Sequence, residues 1–350
     1  MNKNLKLCIF GFGNAGVAFA KLLSEKVMDI REKYNVNIIC TTVVTHSKGK
    51  IYDVEGLDLL SLCDDIDLVG KFTCSNGKLL YDDNIDILMN KEYDVLIDLT
   101  PLNIFTAQPS TEYIKTAMNN KKDIITANKG PIAWYYSELK ELAKMNDVHF
   151  YYETTVMDGT PIFNLYDYSL MCSKVERIDG ILNSTTNYIL TELAQNRKLE
   201  EILENGKELG FIDTKPENDI DGWDAAAKIC ALLNVLMNAN ITPMDVDRTG
   251  ISEITYKDIK KADKENKVYK LICSGYHEDG KFIAKVSPEK IEKSNPLAIV
   301  SGTSSQIDIT TDLMGKISVI EHNPQILQTA YGIYSDLMRL LHEKIVYKRK

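Results

Sequence analysis

Three glycines constrain this chain most. The segment GFGNAG (Gly11–Gly16) stands directly behind a short apolar run, Leu5–Phe10, and directly ahead of an apolar helical pattern from Ala15 to about Lys26. A strand that turns through such a loop into a helix opens a parallel βαβ unit. The glycines serve the tight turn, the close approach of backbone to a pyrophosphate, and the packing of helix on strand. The helix start adds N–H groups and the positive end of its dipole, both suited to phosphate. The pattern alone is weak evidence; its place between strand and helix gives it weight.

Further strands are expected at Val36–Val44, Tyr93–Leu99, Lys122–Thr126 and Val148–Tyr152, with helices at Ser110–Asn119 and about Tyr135–Asn146. Strands alternating with helices imply a Rossmann-type nucleotide-binding domain. Beyond about Val156 the pattern changes. A strand at Val175–Leu182 precedes helices near Thr185–Asn196, Leu199–Leu209 and Trp223–Asn238. The region from Lys267 to about Val319 reads as strands, PLAIV (Pro296–Val300) among them, and Pro324–Glu343 reads as a helix. The expected class is therefore α/β, a Rossmann-type domain joined to an α+β domain. With the last helix returning to the first domain, the boundaries fall at 1–155 with 322–350, and at 156–321.

The 350 residues suffice for two cored domains, and the net charge of -9 argues against a nucleic-acid partner, which needs a basic face. No N-terminal signal and no apolar run of membrane-spanning length is read, so a cytoplasmic setting is expected. The seven cysteines form no CxxC pair, and several sit in apolar runs, as reduced thiols in a reducing compartment would.

Candidate site residues gather at strand ends. The second strand ends Val-Val-Thr-His-Ser-Lys without the acidic residue that commonly holds the ribose of NAD. Ser47 and Lys48 stand there instead, and a lysine suits the extra phosphate of NADP, though a solvated lysine on a loop tip also fits. Thr100 and Lys129 follow strands at the carboxyl edge of the sheet, where ligands gather. The densest signal is GFIDTKPENDIDGWDAAAK (Gly210–Lys228), with Asp213, Asp219 and Asp224 among its carboxylates. Asp224 and Lys228 lie four apart on one helix face. A surface ion pair is the bland reading, but the apolar flanks imply a buried helix. Alcohol oxidation gives such a pair a purpose. A hydride leaves carbon while a base takes the hydroxyl proton, and a lysine serves if burial or a second cation lowers its pKa. Lys129 and Lys228, brought together, would do that to each other. The carboxylates would bind a substrate ammonium group. The five scattered histidines have no metal-ligand spacing.

GFGNAG, TANKGP (Thr126–Pro131), ETTVMDGTP (Glu153–Pro161), GILNSTTNYIL (Gly180–Leu190) and the aspartate-rich segment occur in the order and rough spacing of homoserine dehydrogenases. Over nearly its whole length the chain resembles the short form of that family, without a kinase fusion or C-terminal regulatory domain. The resemblance implies interconversion of L-homoserine and L-aspartate 4-semialdehyde with NAD or NADP. It implies Lys228 as acid/base group, Lys129 beside the nicotinamide, and Asp213, Asp219, Asp224 and Thr185 around the amino-acid substrate. Gly11, Gly13, Asn14, Ala15, Gly16 and Thr100 would meet the cofactor. Glu153, Val156, Asp158 and Thr160 would ligate a monovalent cation such as sodium, largely through backbone oxygens. A homodimer is implied, its interface on the second domain's sheet, for which Ala298–Val319 is the candidate. Some positions depart from the family pattern. Asp213 replaces a glutamate, Lys215 an aspartate, Asp158 a glycine and Ser305 an asparagine, and Glu321–Gln325 replaces a glycine-rich turn. These leave two alternatives open: another amino alcohol or semialdehyde as substrate, or a non-catalytic relative.

Overall fold

The structure, a computed structural model, describes residues 3–209, 212 and 216–345. Asp213 and Lys215 lie outside the described residues. The elements run β1 (Lys3–Phe10), α1 (Asn14–Tyr34), β2 (Val36–Val44), β3 (Lys50–Tyr52), α2 (Leu59–Val69), β4 (Lys78–Leu79), α3 (Asn84–Asn90), β5 (Val95–Asp98), α4 (Ser110–Asn119), β6 (Asp123–Thr126), α5 (Lys129–Asn146) and β7 (Phe150–Tyr151). They continue with α6 (Ile162–Ser169), β8 (Val175–Ile181), α7 (Ser184–Ala194), α8 (Leu199–Glu208), α9 (Glu217–Ile220), α10 (Trp223–Met237), β9 (Asp247–Arg248), α11 (Tyr256–Lys264), β10 (Lys267–Glu278), β11 (Lys281–Glu292), β12 (Ser305–Thr311), β13 (Gly315–Glu321) and α12 (Ile326–Ile345). Two compact units result. One takes in the chain up to Pro131, Tyr135–Pro161 and the residues from Gln325; the other takes in Ile132–Trp134 and Ile162–Pro324.

The first unit is built on a seven-stranded sheet in the order β4-β3-β2-β1-β5-β6-β7. β2, β1, β5, β6 and β7 are parallel, and β3 and β4 add an antiparallel edge. The strand order reverses between β1 and β5, which makes a crevice at their carboxyl ends. β1 is a central strand covered on both faces, so its apolar residues run without interruption. Leu7 and Ile9 join one buried cluster with Phe19, Ile333 and Leu337, while Cys8 and Phe10 join another with Ile114 and Leu139. α12 thus supplies part of this unit's core. Its Gly332 lies where a Cβ would stand 2.3 Å from the Thr154 hydroxyl, and a Cβ on Gly159 would stand 2.5 Å from the Gln328 carbonyl.

Several elements differ from the sequence expectation for identifiable reasons. β3 and β4 have three and two residues, too few for a period-2 signal. α1 continues past Lys26 to Tyr34 because Ile30 still packs inward, and Asn35 closes it in the left-handed conformation at φ 56. α5 begins at Lys129, not near Tyr135. Gly130 and Pro131 fall in its first turn, where a missing N–H costs no helix bond, and a kink at Tyr135 marks where the regular pattern resumes. Pro296–Ile299 is a 3-10 turn instead of a strand, capped by the Asn295 side chain on the Leu297 N–H.

The second unit carries a six-stranded sheet, β13-β12-β8-β10-β11-β9. β10 and β11 form a long antiparallel hairpin. α10 lies against β10 closely enough that a Cβ on Gly275 would stand 2.5 Å from Leu233. Ala225–Ala227 and Ile229–Leu236 are all buried, as suits a helix that is apolar all round. Five of the cysteines are buried and Cys74 and Cys172 are exposed, all as free thiols. Among the described residues no helix is long and apolar enough to cross a membrane.

Candidate active site

Gly11 leaves β1 at φ 97, a backbone conformation that L side chains rarely adopt, and a Cβ on it would stand 2.3 Å from the Leu99 carbonyl oxygen. The two strand ends at the switch point can therefore meet only through a glycine. Gly16 is closed in as well, with the Gly11 carbonyl 2.8 Å from where its Cβ would be. Gly13 has nothing within 4 Å of that position. It is the exposed N-cap of α1 and no side chain caps the helix, so the first-turn N–H groups of Asn14, Ala15 and Gly16 point into an open cradle. That combination of bare glycine backbone and uncapped helix start fits a dinucleotide pyrophosphate.

Lys48 sits on a turn tied by the Thr45 N–H donating to the Gly49 carbonyl at 3.0 Å. Its ammonium donates to the Phe12 carbonyl at 2.9 Å, which places the cation on the glycine loop itself; Ser47 is exposed beside it.

At the end of β5, Asp98 is fully buried and organises the crevice. It accepts from Ser110 Oγ at 2.5 Å, Thr100 Oγ1 at 2.6 Å and Thr126 Oγ1 at 2.9 Å. Burial raises its pKa above the ordinary aspartate value, against the pull of those hydroxyls. Asn128 completes the arrangement. Its amide donates to the Thr100 carbonyl at 3.1 Å and hydroxyl at 3.2 Å, while its Oδ1 accepts from the Gly130 N–H at 3.0 Å and caps α5. Lys129 follows directly as the half-buried first residue of that helix. Sequence reasoning singled out Thr100 and Lys129 and passed over Asp98 and Asn128, which hold them in place. An asparagine just ahead of a helical stretch was the available signal for Asn128.

In the second unit, Asp219, Asp224 and Lys228 come together around Asn183. The Asn183 amide donates to Asp219 Oδ1 at 2.6 Å and to Asp224 Oδ2 at 2.9 Å. Its Oδ1 accepts from the Thr186 N–H at 2.8 Å and so caps α7, in whose first turn Thr185 is buried. Lys228 Nζ donates to the Leu182 carbonyl at 2.8 Å and lies 3.7 Å from Asp224 Oδ2. The two side chains of this pair are only 16% and 15% exposed. The pair is therefore not a fully solvated surface pair, and desolvation of both charges offsets much of its attraction. Asn183 was missed in sequence, where it reads as one more polar residue in a loop.

The turn after β7 holds Glu153 and Val156, both buried, and half-buried Asp158 and Thr160. Asp158 takes φ 42, the conformation a glycine would supply, and its Oδ1 accepts from Thr329 Oγ1 at 2.6 Å. Among the described residues no three His, Cys, Asp or Glu side chains are grouped to hold a metal. Ahead of α12, Asn323 takes φ 42 and its N–H donates to Ser304 Oγ at 3.1 Å. A single asparagine thus provides left-handed backbone in a turn without glycine.

Comparison with known proteins places both halves. A family model described as homoserine dehydrogenase matches residues 161–338, and one described as the NAD-binding domain of homoserine dehydrogenase matches residues 11–153. A homoserine dehydrogenase of Methanocaldococcus jannaschii is 36% identical, covering 96% of this chain and 98% of its own. An NAD(+)-dependent homoserine dehydrogenase of Pseudomonas canavaninivorans is 30% identical, covering 99% and 98%. The solved structure of a hyperthermophilic archaeal homoserine dehydrogenase in complex with NADPH superimposes with a TM-score of 0.81 at 28% identity, covering 96% of this chain and 97% of that one.

Proposed function

The chain belongs to the homoserine dehydrogenase family, and we propose that the cluster of Asn183, Asp219, Asp224 and Lys228 is where it handles its amino-acid substrate. The reaction is the NAD(P)-dependent interconversion of L-homoserine and L-aspartate 4-semialdehyde. The nicotinamide cofactor, when bound, supplies the acceptor or donor of hydride. Lys228 takes the hydroxyl proton in the oxidising direction and returns it in the reducing one. Asp224 stands 3.7 Å away as the counter-charge of that lysine. Asp219 and Asp224 carry the negative charge that a substrate ammonium needs, and Thr185 lies in the first turn of the helix that Asn183 caps. Thr100 and Lys129 are proposed for the nicotinamide end, and Gly11, Gly13, Asn14, Ala15 and Gly16 for the pyrophosphate.

The observation that carries this reading is one amide bridging two carboxylates, with the half-buried lysine beside them. Asn183→Ala removes two hydrogen bonds to charged groups, each contributing about 1.5–3 kcal/mol. kcat/KM for homoserine is expected to fall at least tenfold, mostly through KM, with NADPH affinity unchanged. Homoserine kinetics equal to wild type in a folded variant would remove the cluster from the substrate site.

NADP is the proposed preferred coenzyme, because the Lys48 ammonium rests on the glycine loop where the second strand ends. Lys48→Glu is then expected to lower the ratio of NADPH to NADH turnover at least tenfold. A wild-type preference for NADH overturns the assignment. The turn at 153–160 is proposed to take a monovalent cation on main-chain oxygens of Glu153, Val156, Asp158 and Thr160, which activity in sodium-free buffer tests. A cytoplasmic homodimer, joined through Ala298–Val319 on the edge side of the second sheet, is likewise proposed; sedimentation as a monomer refutes the dimer.

A further inference from the structure

The second unit contains another cavity, of about 240 Å³, that includes none of the carboxylates above. Leu190, Thr191 and Ala194 of α7, Ile259 of α11, Lys270 of β10 and Ala298 of the 296–299 turn line it. Lys270 is 4% exposed. Its ammonium donates to Asn187 Oδ1 at 2.9 Å and to the Val300 carbonyl, both neutral acceptors. No carboxylate among the described residues pairs with it. Asp263, on the cavity's α11 side, is taken by Lys293 at 2.7 Å, and Lys267 on the same strand is taken by Glu292 at 3.1 Å. Burial lowers the Lys270 pKa to about 8. An ammonium has three donors and one full charge, and a buried charge without a counter-charge opposes folding. A methionine would fill the same strand position without that cost. The lysine makes sense where an anion arrives to meet it.

We propose that this cavity is an effector site for a small aliphatic carboxylate, whose charged end meets Lys270 and whose alkyl body lies on the wall of Leu190, Ala194, Ile259 and Ala298. The volume lies below the roughly 300–1,000 Å³ of pockets for drug-sized ligands, which favours an acid of a few carbons over a nucleotide. Occupancy has a route to the substrate cluster. Asn187, which accepts from Lys270, stands one turn along α7 from Asn183, and its N–H donates to the Asn183 carbonyl at 3.2 Å. Its side-chain amide also holds the Val300 and Ser304 carbonyls at 3.3 and 3.1 Å. A carboxylate that draws Lys270 away therefore changes what anchors the helix. Binding stands independently of the proposed role of Asn183; the effect on turnover rests on it.

The test uses the full chain with n-butyrate as probe, butyramide as its neutral isostere and chloride as the ionic control. Butyrate is expected to raise the melting temperature saturably, and butyramide and chloride are not. Calorimetry above pH 8 in buffers of different ionisation heat is expected to show proton uptake on binding, as Lys270 becomes fully charged. Lys270→Met is expected to abolish the shift and the uptake. Ala194→Phe, which fills the cavity from α7 and leaves the lysine in place, is expected to abolish the shift while NADPH turnover without butyrate stays as in wild type. No saturable shift, an equal shift with butyramide, or a shift that survives either substitution overturns the site and leaves Lys270 as a tie between α7 and the 300–304 segment. Saturating butyrate is also expected to change the homoserine KM at least twofold in wild type only. An unchanged KM with intact binding overturns the effector role, whatever the fate of the Asn183 assignment.

Discussion

Lys228→Met is expected to lower kcat by roughly 10²–10⁴, the range that positioned general acid–base groups supply. Methionine keeps an aliphatic side chain at this position of α10 and removes the ammonium. The Asn183 amide still holds Asp219 and Asp224, so the carboxylates are not left without a donor. NADPH binding, followed by fluorescence titration, should be unchanged. Lys228→Arg separates the remaining possibility, because a guanidinium keeps the charge and cannot act as a base near neutrality. Activity in Lys228→Arg close to wild type would mean that the group acts by charge alone. A kcat for Lys228→Met within tenfold of wild type would end the proposed role altogether.

The second large effect is expected from the glycine loop, and it comes as a contrast. Gly11→Ala forces a Cβ to within 2.3 Å of the Leu99 carbonyl at a backbone position with φ 97. Neither the strand end nor the loop can yield without breaking the bonds from Gly11 N–H to the Val44 carbonyl and from Leu99 N–H to the Phe10 carbonyl. A loss of about 3–5 kcal/mol in unfolding free energy is expected, in the range reserved for backbone conflict and core damage. Gly13→Ala meets nothing within 4 Å and should change stability by no more than about 1 kcal/mol. Its methyl group stands where a pyrophosphate would approach, so the coenzyme Kd should rise at least tenfold, about 1.4 kcal/mol. Urea melts and coenzyme titrations on the two variants read the contrast directly. Normal coenzyme affinity in Gly13→Ala would place the phosphates elsewhere.

What the sequence announced and what it concealed follow from the range of the interactions involved. β1, the glycine loop and β2 are local: strand, turn and helix signals lie within one stretch, and Val36–Val44 is read residue for residue. α10 is equally local, since the apolar runs Ala225–Ala227 and Ile229–Leu233 already mark a helix that is mostly buried. The edge strands β3 and β4 depend on partners, not on their own few residues. The 3-10 turn at Pro296–Ile299 was hidden by apolar composition, which does not distinguish a strand from a turn that packs inward. In the candidate site, Lys228 and Asp224 declared themselves by spacing on one helix. Asn183 did not, because its meaning lies in two carboxylates 36 and 41 residues further on. Lys270 was invisible for the same reason: a lysine in a strand reads as solvated until the helix and the segment that bury it are known.

The return of α12 to the first unit has a consequence for the order of events during synthesis. Ala330, Ile333, Leu337, Leu340 and Leu341 complete the cluster around Leu7 and Ile9, yet the ribosome makes them only after all of Ile162–Pro324. While the second unit is being translated, the nucleotide-binding half waits with one face of its sheet incompletely covered. Exposed apolar surface of that kind is what chaperones hold and what aggregation begins from. The second unit is continuous except for Ile132–Trp134, which have already been made, so it is the part of the chain free to fold first. Nascent chains arrested before Ile326 should therefore hold a protease-resistant second unit and a first unit that has yet to acquire any grip on coenzyme.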